Sequence, residues 1–278
     1  MISQASLLPA ASVDAHMHIY AEGAHAKDAP FKVPRATVTD YQLVMGKLGI
    51  ENVVLVQSMI YGIDNSVMLS GLRSLGDRAR GIAVVSLNAP DALLDDLGMQ
   101  GVIGLRAFML PGGIYRWRDL PDLGKRLAAR GWQMHLQLDG LELPQRMDVI
   151  SQIPCKLVID HVGKFHKPVT TGHTAFKALM SLLATGNVWI KLSGLYETSV
   201  SGAPDYEDVA VLARTVADAF PHRVIWASNW PHPNLQPAPD DGVLIELLRS
   251  IVPDPYRQKL LFSANAQALF GFRAEGNQ

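Results

Sequence analysis

Residues 12–19 (SVDAHMHI) and residues 38–48 (VTDYQLVMGKL) decide the fold that the sequence predicts. The first run is short and rich in apolar residues, which is typical of a buried strand. The second run carries apolar residues at helical spacing, with Thr37 as the predicted N-cap and Gly49 as its end. Together they form one strand–helix unit, the building block of parallel α/β folds.

The same alternation recurs along almost the whole chain. Seven more strand-like runs follow at intervals of roughly 20–40 residues, at residues 52–58, 81–87, 102–108, 132–139, 156–161, 188–194 and 223–229. Helical patterns cover residues 64–75, 120–129, 174–183, 206–219, 242–251 and 255–270. Eight parallel strands joined by helices predict a single α/β domain over residues 1–278, a (β/α)8 TIM barrel with an extra C-terminal helix. A doubly wound open sheet is the alternative, but residues 13–20 lack the glycine-rich first turn that it needs.

The charge balance and the cysteine count exclude several classes of protein. Among 278 residues, 25 Lys and Arg stand against 26 Asp and Glu, so no basic field is available to hold nucleic acid. A single cysteine, Cys155, excludes a disulfide framework and a cysteine-based zinc cluster. No apolar stretch approaches the ~20 residues of a membrane span, and the N-terminal segment lacks the features of a signal peptide. We expect a cytoplasmic protein without membrane or nucleic-acid partners, and its oligomeric state stays open.

The first predicted strand carries three ionisable residues. Strand alternation predicts that Asp14, His16 and His18 share one face, opposite the apolar residues between them. In (β/α)8 barrels the active site lies at the C-terminal ends of the strands. We therefore expect both imidazoles to point into the mouth of the barrel, with a hydrogen-bonded structural pair as the alternative.

Polar residues also lie in or just after the C-terminal halves of most of the other predicted strands. They are Gln57, Arg106, Gln137, Asp139, Asp160, His161, Lys164, Lys191, Ser193, Ser228 and Asn229. An arginine such as Arg106 is costly inside an apolar strand unless it is paired. We expect either a structural partner, such as Asp139, or an anionic substrate. Each of these residues alone is as readily structural as catalytic, but buried polar groups need partners. Their convergence predicts an active site.

Three motifs, VDAHMH at residues 13–18, IDHVGK at 159–164 and WASNWPHP at 226–233, resemble the amidohydrolase superfamily, and specifically its lactonase branch. The similarity covers nearly the whole chain. The stretches VQSMIYGIDNSVML at 56–69 and KLSGLYETS at 191–199 are more similar to the sugar-acid lactone isomerases of that branch than to its pyrone dicarboxylate lactonases. The resemblance implies a (β/α)8 barrel and chemistry on the ring ester of a lactone.

The resemblance also implies roles for particular residues. His16, His18 and His161 match histidines of the family, and Arg106 matches an arginine that holds a substrate carboxylate. Asn229 stands where most relatives have an aspartate. An asparagine there is either natural or a substitution that inactivates a hydrolase.

Metal-dependent members of the superfamily need further ligands that this sequence lacks. The fourth strand offers Arg106, which cannot bind a metal. On the fifth strand, His135 lies one inward-facing position too deep in the barrel to be a metal ligand. The amide of Asn229 is a weaker ligand than a carboxylate. The histidines that remain are His16, His18 and His161. We therefore expect no required metal or other cofactor, although three histidines can pick up adventitious zinc.

We predict an enzyme that converts the 1,5-lactone of a small sugar acid into the 1,4-lactone, with a hydroxyl of the substrate as the nucleophile. The predicted catalytic residues are His16, His18, His161 and Asn229. The predicted substrate-binding residues are Gln57, Asn65, Arg106, Lys164, Lys191 and Tyr196. We expect a histidine, Lys191 or Asn229 to polarise the ester carbonyl. The alternatives are hydrolysis of a lactone or a pyrone dicarboxylate, metal-dependent decarboxylation, and a non-catalytic barrel that binds sugar acids.

Overall fold

The computed structural model describes residues 7–21, 33–233, 235 and 237–272, and within them eight parallel strands pair in chain order. The strands are β1 (Val13–Met17), β2 (Asn52–Val56), β3 (Ala79–Ala83), β4 (Val102–Phe108), β5 (Gln133–Gln137), β6 (Lys156–Ile159), β7 (Val188–Leu192) and β8 (Val224–Trp226). The predicted (β/α)8 barrel is confirmed.

Helices follow the strands and form the outer layer. They are α1 (Val38–Leu48), α2 (Ser66–Leu75), α3 (Asp91–Met99), α4 (Leu120–Ala128), α5 (Leu143–Ser151), α6 (Thr174–Ala184), α7 (Glu207–Ala219) and α8 (Asp241–Ile251). The predicted extra C-terminal helix is present but divided into α9 (Pro255–Lys259), a π-helical turn (Leu260–Ala264) and α10 (Asn265–Phe270). None of the helices in the described ranges combines the length and apolar character that a bilayer crossing needs.

The first helix begins and ends as its sequence predicts. The Thr37 hydroxyl accepts a hydrogen bond from the backbone N–H of Asp40 at 3.2 Å, and the Asp40 carboxylate accepts one from the N–H of Thr37 at 3.0 Å. This reciprocal pair satisfies two of the free donors at the helix N-terminus. Gly49 ends the helix in the left-handed region, with φ of 81°, where a side chain would be strained.

The first strand does not alternate regularly, because its register with β2 shifts beyond Asp14. Ala15 lies in the apolar cluster inside the barrel. The Asp14 carboxylate instead accepts a hydrogen bond from the hydroxyl of Tyr41 on α1, at 2.7 Å. The prediction that Asp14 shares a face with His16 and His18 is therefore wrong. The irregularity turns both histidines towards the barrel interior and leaves Asp14 on the helix side.

The barrel closes through the segment that follows β8. The backbone N–H of Asn229 donates to the carbonyl of His16 at 2.9 Å, and the N–H of His18 donates to the carbonyl of Trp230 at 2.8 Å. These two bonds continue the sheet from β8 to β1. They hold Asn229 directly beside the β1 histidines.

Apolar side chains fill the floor of the barrel, at the N-terminal ends of the strands. This cluster consists of Val13, Ala15, Val54, Val56, Ile82, Val158, Trp189, Ile225, Ala227, Ala266, Leu269, Phe270 and Phe272. The helix α10 contributes to it, and the Gln133 amide of β5 donates to the carbonyl of Leu269 at 2.8 Å. The polar interior residues therefore lie in the upper half, at the opposite end.

Candidate active site

A cavity of about 300 Å³ lies at the C-terminal ends of the strands. Five of the predicted site residues line it: His18, Arg106, His161, Lys164 and Asn229. The structure thus brings together side chains from the ends of four strands, as the sequence predicts. His16, Lys191 and Tyr196 lie behind this wall, whereas Gln57 and Asn65 support neighbouring loops.

The two β1 histidines form a chain of hydrogen bonds with a fixed direction. Nδ1 of His18 lies 2.7 Å from the carbonyl oxygen of Val56, which can only accept, so Nδ1 carries the proton. Nε2 of His18 lies 3.1 Å from Nε2 of His16 and must therefore accept from it. Burial lowers the pKa of His18 to about 3 and that of His16 well below its usual value, so both rings are neutral. In this state His18 has no free ring nitrogen to offer the cavity.

Lys191 is fully buried beneath these histidines. Its ammonium lies 2.9 Å from Nδ1 of both His16 and His135, and 2.8 Å from the Asp160 carboxylate. Burial would raise the pKa of Asp160, but Lys191 and then His16 hold it well below its usual range. The ammonium donates to the two histidines and forms an ion pair with Asp160. The prediction that Lys191 polarises a substrate carbonyl is therefore wrong, because the side chain does not line the cavity and contacts His16, His135 and Asp160 instead.

His161 offers a ring nitrogen to the cavity, whose wall also includes the partly exposed His166. Nδ1 of His161 lies 2.9 Å from the Ser193 hydroxyl, and no described residue is bonded to Nε2. Burial lowers the pKa of His161 to about 4, although Glu197 and Asp160 oppose this shift. The ring is therefore neutral near pH 7 and can accept a proton at Nε2 when Nδ1–H donates to Ser193.

A tight turn after β6 aims His161 and Lys164 at the cavity. His161, Val162 and Lys164 have φ of 51°, 55° and 45°, and Gly163 between them has φ of 86°. Side chains at such angles are strained, and strain of this kind concentrates at functional sites. The DHVGK motif thus encodes a turn that gives two residues of one short segment access to the same cavity.

Glu197 is a residue of the site that the sequence analysis missed. It follows β7, lines the cavity and is buried, with one carboxylate oxygen paired to the Lys164 ammonium. The other oxygen accepts a hydrogen bond from Nδ2 of Asn229 at 2.7 Å. Burial would raise the pKa of Glu197, but His161, Lys164 and Asn229 hold it below its usual range. Its position in KLSGLYETS, directly after a predicted strand, is the signal that could have identified it.

Asn229 presents its carbonyl oxygen, rather than its amide nitrogen, to the cavity. Its Nδ2 donates to the Tyr196 hydroxyl at 2.9 Å and to Glu197 at 2.7 Å. A carboxylate can only accept, so this contact fixes which end of the amide is which. The prediction that Asn229 donates to a substrate carbonyl is therefore wrong, because both of its hydrogens are engaged. Its φ of 62° is one that asparagine tolerates better than most residues.

A chain of hydrogen bonds behind Asn229 holds this orientation. Since the Tyr196 hydroxyl accepts from Asn229, it donates to Nδ1 of His232 at 2.7 Å. Nε2 of His232 then donates to the Asp241 carboxylate at 3.2 Å. Tyr196, predicted to bind the substrate, is instead a residue that positions Asn229.

Arg106 is a buried cation without a carboxylate partner among the described residues. Its guanidinium donates to the carbonyl of Gln57 at 2.8 Å and to the side-chain oxygen of Gln137, and its buried Nε has no protein partner in the same ranges. Asp139, the structural partner that the sequence analysis considered, contacts His166 instead, at 3.3 Å. A buried guanidinium with an unused donor is suited to bind an anion.

Gln57 and Asn65 hold loops rather than line the cavity. The Gln57 amide donates to the carbonyls of Gly62 and Asp64, and Gln57 reaches Arg106 only through its own carbonyl. The Asn65 amide donates to the carbonyl of Val84 at 2.7 Å and accepts from its N–H at 3.0 Å. Neither residue lines the cavity of about 300 Å³, and the side chain of Asn65 already has partners in the backbone.

The groups near the β1 histidines that could bind a metal ion already contact a cation of the protein. Among the described residues, His16, Asp160 and His161 form the group whose ligand atoms lie within 4.8 Å of one another. The Lys191 ammonium, however, lies within 2.9 Å of both His16 Nδ1 and the Asp160 carboxylate. A second cation at this place would meet the charge of the first and compete for the same lone pairs.

Side chains from several strand ends meet at one cavity, and in (β/α)8 barrels this is where catalysis takes place. The molecule is a barrel enzyme. The amidohydrolase family matches residues 13–272, and the chain belongs to that family.

Comparisons with known proteins agree with this assignment. The chain is 31% identical to a D-galactarolactone isomerase from Agrobacterium fabrum, over 94% of this chain and 91% of that protein. It is also 31% identical to a 2-pyrone-4,6-dicarboxylate hydrolase from Comamonas testosteroni, over 95% and 91% of the two chains. An apo crystal structure of an Agrobacterium tumefaciens protein superposes with a TM-score of 0.88 at 31% identity, covering 96% and 97% of the two chains.

Proposed function

We propose that this enzyme acts on a small anionic lactone by acyl transfer at the ring ester, and that it isomerises the lactone without a required metal. The observation that carries the proposal is the state of Asn229. This position offers an amide oxygen instead of a carboxylate, and the neighbouring Glu197 carboxylate is held by Asn229 and Lys164. A carboxylate with two donors is a weak base for the activation of water.

Isomerisation needs only the transfer of a proton within the substrate. A hydroxyl of the substrate attacks the ester carbonyl carbon, and the bond from that carbon to the ring oxygen breaks. Nε2 of His161 takes the proton from the attacking hydroxyl and returns it to the departing ring oxygen, so no water is consumed. Asn229 accepts a hydrogen bond from another hydroxyl of the lactone and thereby orients the ring, which favours an intramolecular reaction.

Two cations provide the remaining functions. Lys164 lines the cavity and, beyond its pair with Glu197, has further donors for the carbonyl oxygen as negative charge develops there. Arg106 lines the cavity and binds the carboxylate of the substrate through the second hydrogens of Nη1 and Nη2, which no described residue takes. The names of the two relatives, which refer to lactone substrates, support this substrate class.

Hydrolysis of a lactone is the second candidate, and the position of Glu197 favours it. This buried carboxylate lines the same cavity as His161, so Glu197 can orient a water molecule that gives its proton to His161. Decarboxylation of the metal-dependent kind has less support, because Lys191 competes with a divalent ion for His16 and Asp160.

Proton NMR with D-galactaro-1,5-lactone tests the proposal, with the reaction repeated in H2¹⁸O. We expect the signals of the 1,4-lactone to appear before those of the open acid, with no ¹⁸O in the product. Incorporation of one ¹⁸O with direct formation of the open acid would favour hydrolysis. No acceleration over an enzyme-free control, for this lactone or for 2-pyrone-4,6-dicarboxylate, would overturn the proposal.

A further inference from the structure

The charges that line the cavity do not balance. Among the described residues, Arg106 has no carboxylate within ion-pair distance, and its buried Nε lacks a partner. Lys164 is the other cation of the wall, and Glu197 pairs with it. The ring of His161 is neutral. The wall that the structure describes therefore has one cation in excess.

Contacts with Lys164 and Asn229 hold Glu197 in place, so the net charge of the cavity wall stays the same. The side chains of Lys164 and Glu197 are only 10% and 7% exposed, so water screens their interaction poorly. Asn229 donates to the second carboxylate oxygen of Glu197 at 2.7 Å, and Tyr196 fixes Asn229 in turn. The carboxylate cannot swing away from Lys164 without loss of both contacts.

We propose that Glu197 determines the charge of the substrate. By neutralising Lys164, it leaves Arg106 as the uncompensated cation of the described wall, so the site selects a lactone with one free carboxylate. A neutral lactone leaves the buried guanidinium without an anion. A dicarboxylate brings its second negative charge against Glu197, and such repulsion excludes wrong ligands. This inference rests on the proposed function and narrows its substrate class to lactones with a single free carboxylate.

Binding of inert ring compounds tests the selection without any turnover. Benzamide, benzoate and isophthalate have the same ring with zero, one and two carboxylates, and calorimetry gives their dissociation constants. For the unmodified enzyme we expect benzoate to bind at least roughly tenfold more tightly than either of the others. In Glu197→Gln we expect isophthalate to bind at least roughly tenfold more tightly than it binds the unmodified enzyme, and to become the preferred ligand.

Two further variants separate charge from structure. Glu142→Gln removes a carboxylate that pairs with Arg146 outside the cavity, and should leave the order of the three ligands unchanged. Lys164→Met leaves Glu197 uncompensated and should weaken benzoate and isophthalate by at least roughly tenfold relative to benzamide. If Glu197→Gln does not fold, Lys164→Met still tests the proposal, because it changes the same ion pair from the other side.

The outcomes distinguish this inference from the proposed function. An unchanged order of ligands in both folded variants, Glu197→Gln and Lys164→Met, overturns the role of Glu197 even if lactones are isomerised. The expected order without any lactone turnover supports the selection of charge and overturns the proposed reaction.

Discussion

The ammonium of Lys191 lies 2.9 Å from Nδ1 of His16, a residue 175 positions earlier in the chain. This contact sets the protonation of the β1 histidines, because an ammonium can only donate. His16 must then donate from Nε2 to His18, which donates from Nδ1 to the carbonyl of Val56. One buried cation thus fixes the direction of every hydrogen bond along this chain. Nε2 of His161, in contrast, has no partner among the described residues and is free to take part in the reaction.

Replacement of Lys191 by methionine should strongly destabilise the fold. The Asp160 carboxylate, which is fully buried, would lose its partner, and an unpaired buried charge costs about 3–5 kcal/mol. Urea denaturation should show this loss, whereas Lys177→Met on the exposed face of α6 should change the free energy of unfolding by less than about 0.5 kcal/mol. In the double variant with Asp160→Asn, the loss should be smaller than the sum of the two single losses. Additive losses would contradict the ion pair.

His161→Gln should lower turnover of the lactone by at least roughly 100-fold with little change in KM, because the base is lost and the anion site is retained. Ser193→Ala should have a smaller effect, since it only removes the partner of Nδ1. His222→Gln is the matched control, because this exposed histidine precedes β8 at the other end of the barrel. Turnover in His161→Gln close to that of the control would remove His161 from the reaction. The NMR assay measures all three variants.

Asn229→Asp should place a second carboxylate at the 2.7 Å contact with Glu197. Two carboxylates this close share a proton, so the pKa of one of them rises. We expect a loss of about 1–3 kcal/mol in the free energy of unfolding at neutral pH. Combination with Glu197→Gln should recover part of it, since one carboxylate and one amide again face each other. A single variant as stable as the parent would show that the contact is absent.

The same variant should alter the reaction. A carboxylate at position 229 can accept a proton from water, so the ratio of open acid to isomerised lactone should increase. NMR of the product mixture measures this ratio. An unchanged ratio, in protein that is folded, would mean that the amide at this position does not decide between isomerisation and hydrolysis.

The fold should become more stable as the pH rises towards 7. Burial lowers the pKa of His18 to about 3 and of His161 to about 4, and that of His16 and His135 well below 6.5. In the unfolded chain these groups titrate near 6.5, so between about pH 4 and 6.5 the unfolded state binds more protons and stability rises with pH. Burial raises the pKa of Asp14 to about 6, so this one group makes the fold less stable as the pH rises. The four histidines outweigh it.

Urea denaturation at about pH 5 and about pH 7 measures this dependence. The free energy of unfolding should be higher at the upper pH. His161→Gln should reduce the difference between the two pH values by about 2 kcal/mol, because the unfolded histidine releases most of one proton over this range. The exposed His222→Gln should not change it. Equal stability at the two pH values would contradict the neutral state of the buried histidines.

Chelators should not inactivate the enzyme. Lys191 already contacts the acceptors that a divalent ion would use, so protein purified without chelator should contain far less than one zinc per chain. Atomic absorption measures the content, and lactone turnover is compared before and after dialysis against EDTA. Stoichiometric zinc whose removal abolishes activity, and whose return restores it, would contradict this.

The sequence predicts the barrel well, because its elements follow local rules. The predicted helix over residues 38–48 agrees with α1 to the residue, since Thr37 and Gly49 carry their own capping chemistry. The predicted third strand, residues 81–87, starts two residues after β3 (Ala79–Ala83). The helices α3 and α5 were missed, although Pro90 stands immediately before Asp91 at the start of α3.

The site was predicted only in part, because its roles depend on contacts between distant segments. Strand periodicity identifies His18 as inward-facing, and the positions of Arg106 within a strand and His161 at a strand end place them near the same site. Neither signal can show that Lys191 is covered by His16, or that Glu197 takes both its partners from other strand ends. Periodicity also fails where a strand is irregular, and the register shift in β1 is what placed Asp14 on the wrong face in the prediction.

The contribution of α10 to the floor of the barrel has a consequence for biosynthesis. The Gln267 amide donates to the carbonyl of Ala11, 256 positions earlier, and Phe270 packs among the interior residues of the strands. During translation, β1 therefore leaves the ribosome long before the residues that will cover its lower end. Until they emerge, the nascent chain exposes the apolar interior of an unfinished barrel, which is the state that chaperones bind.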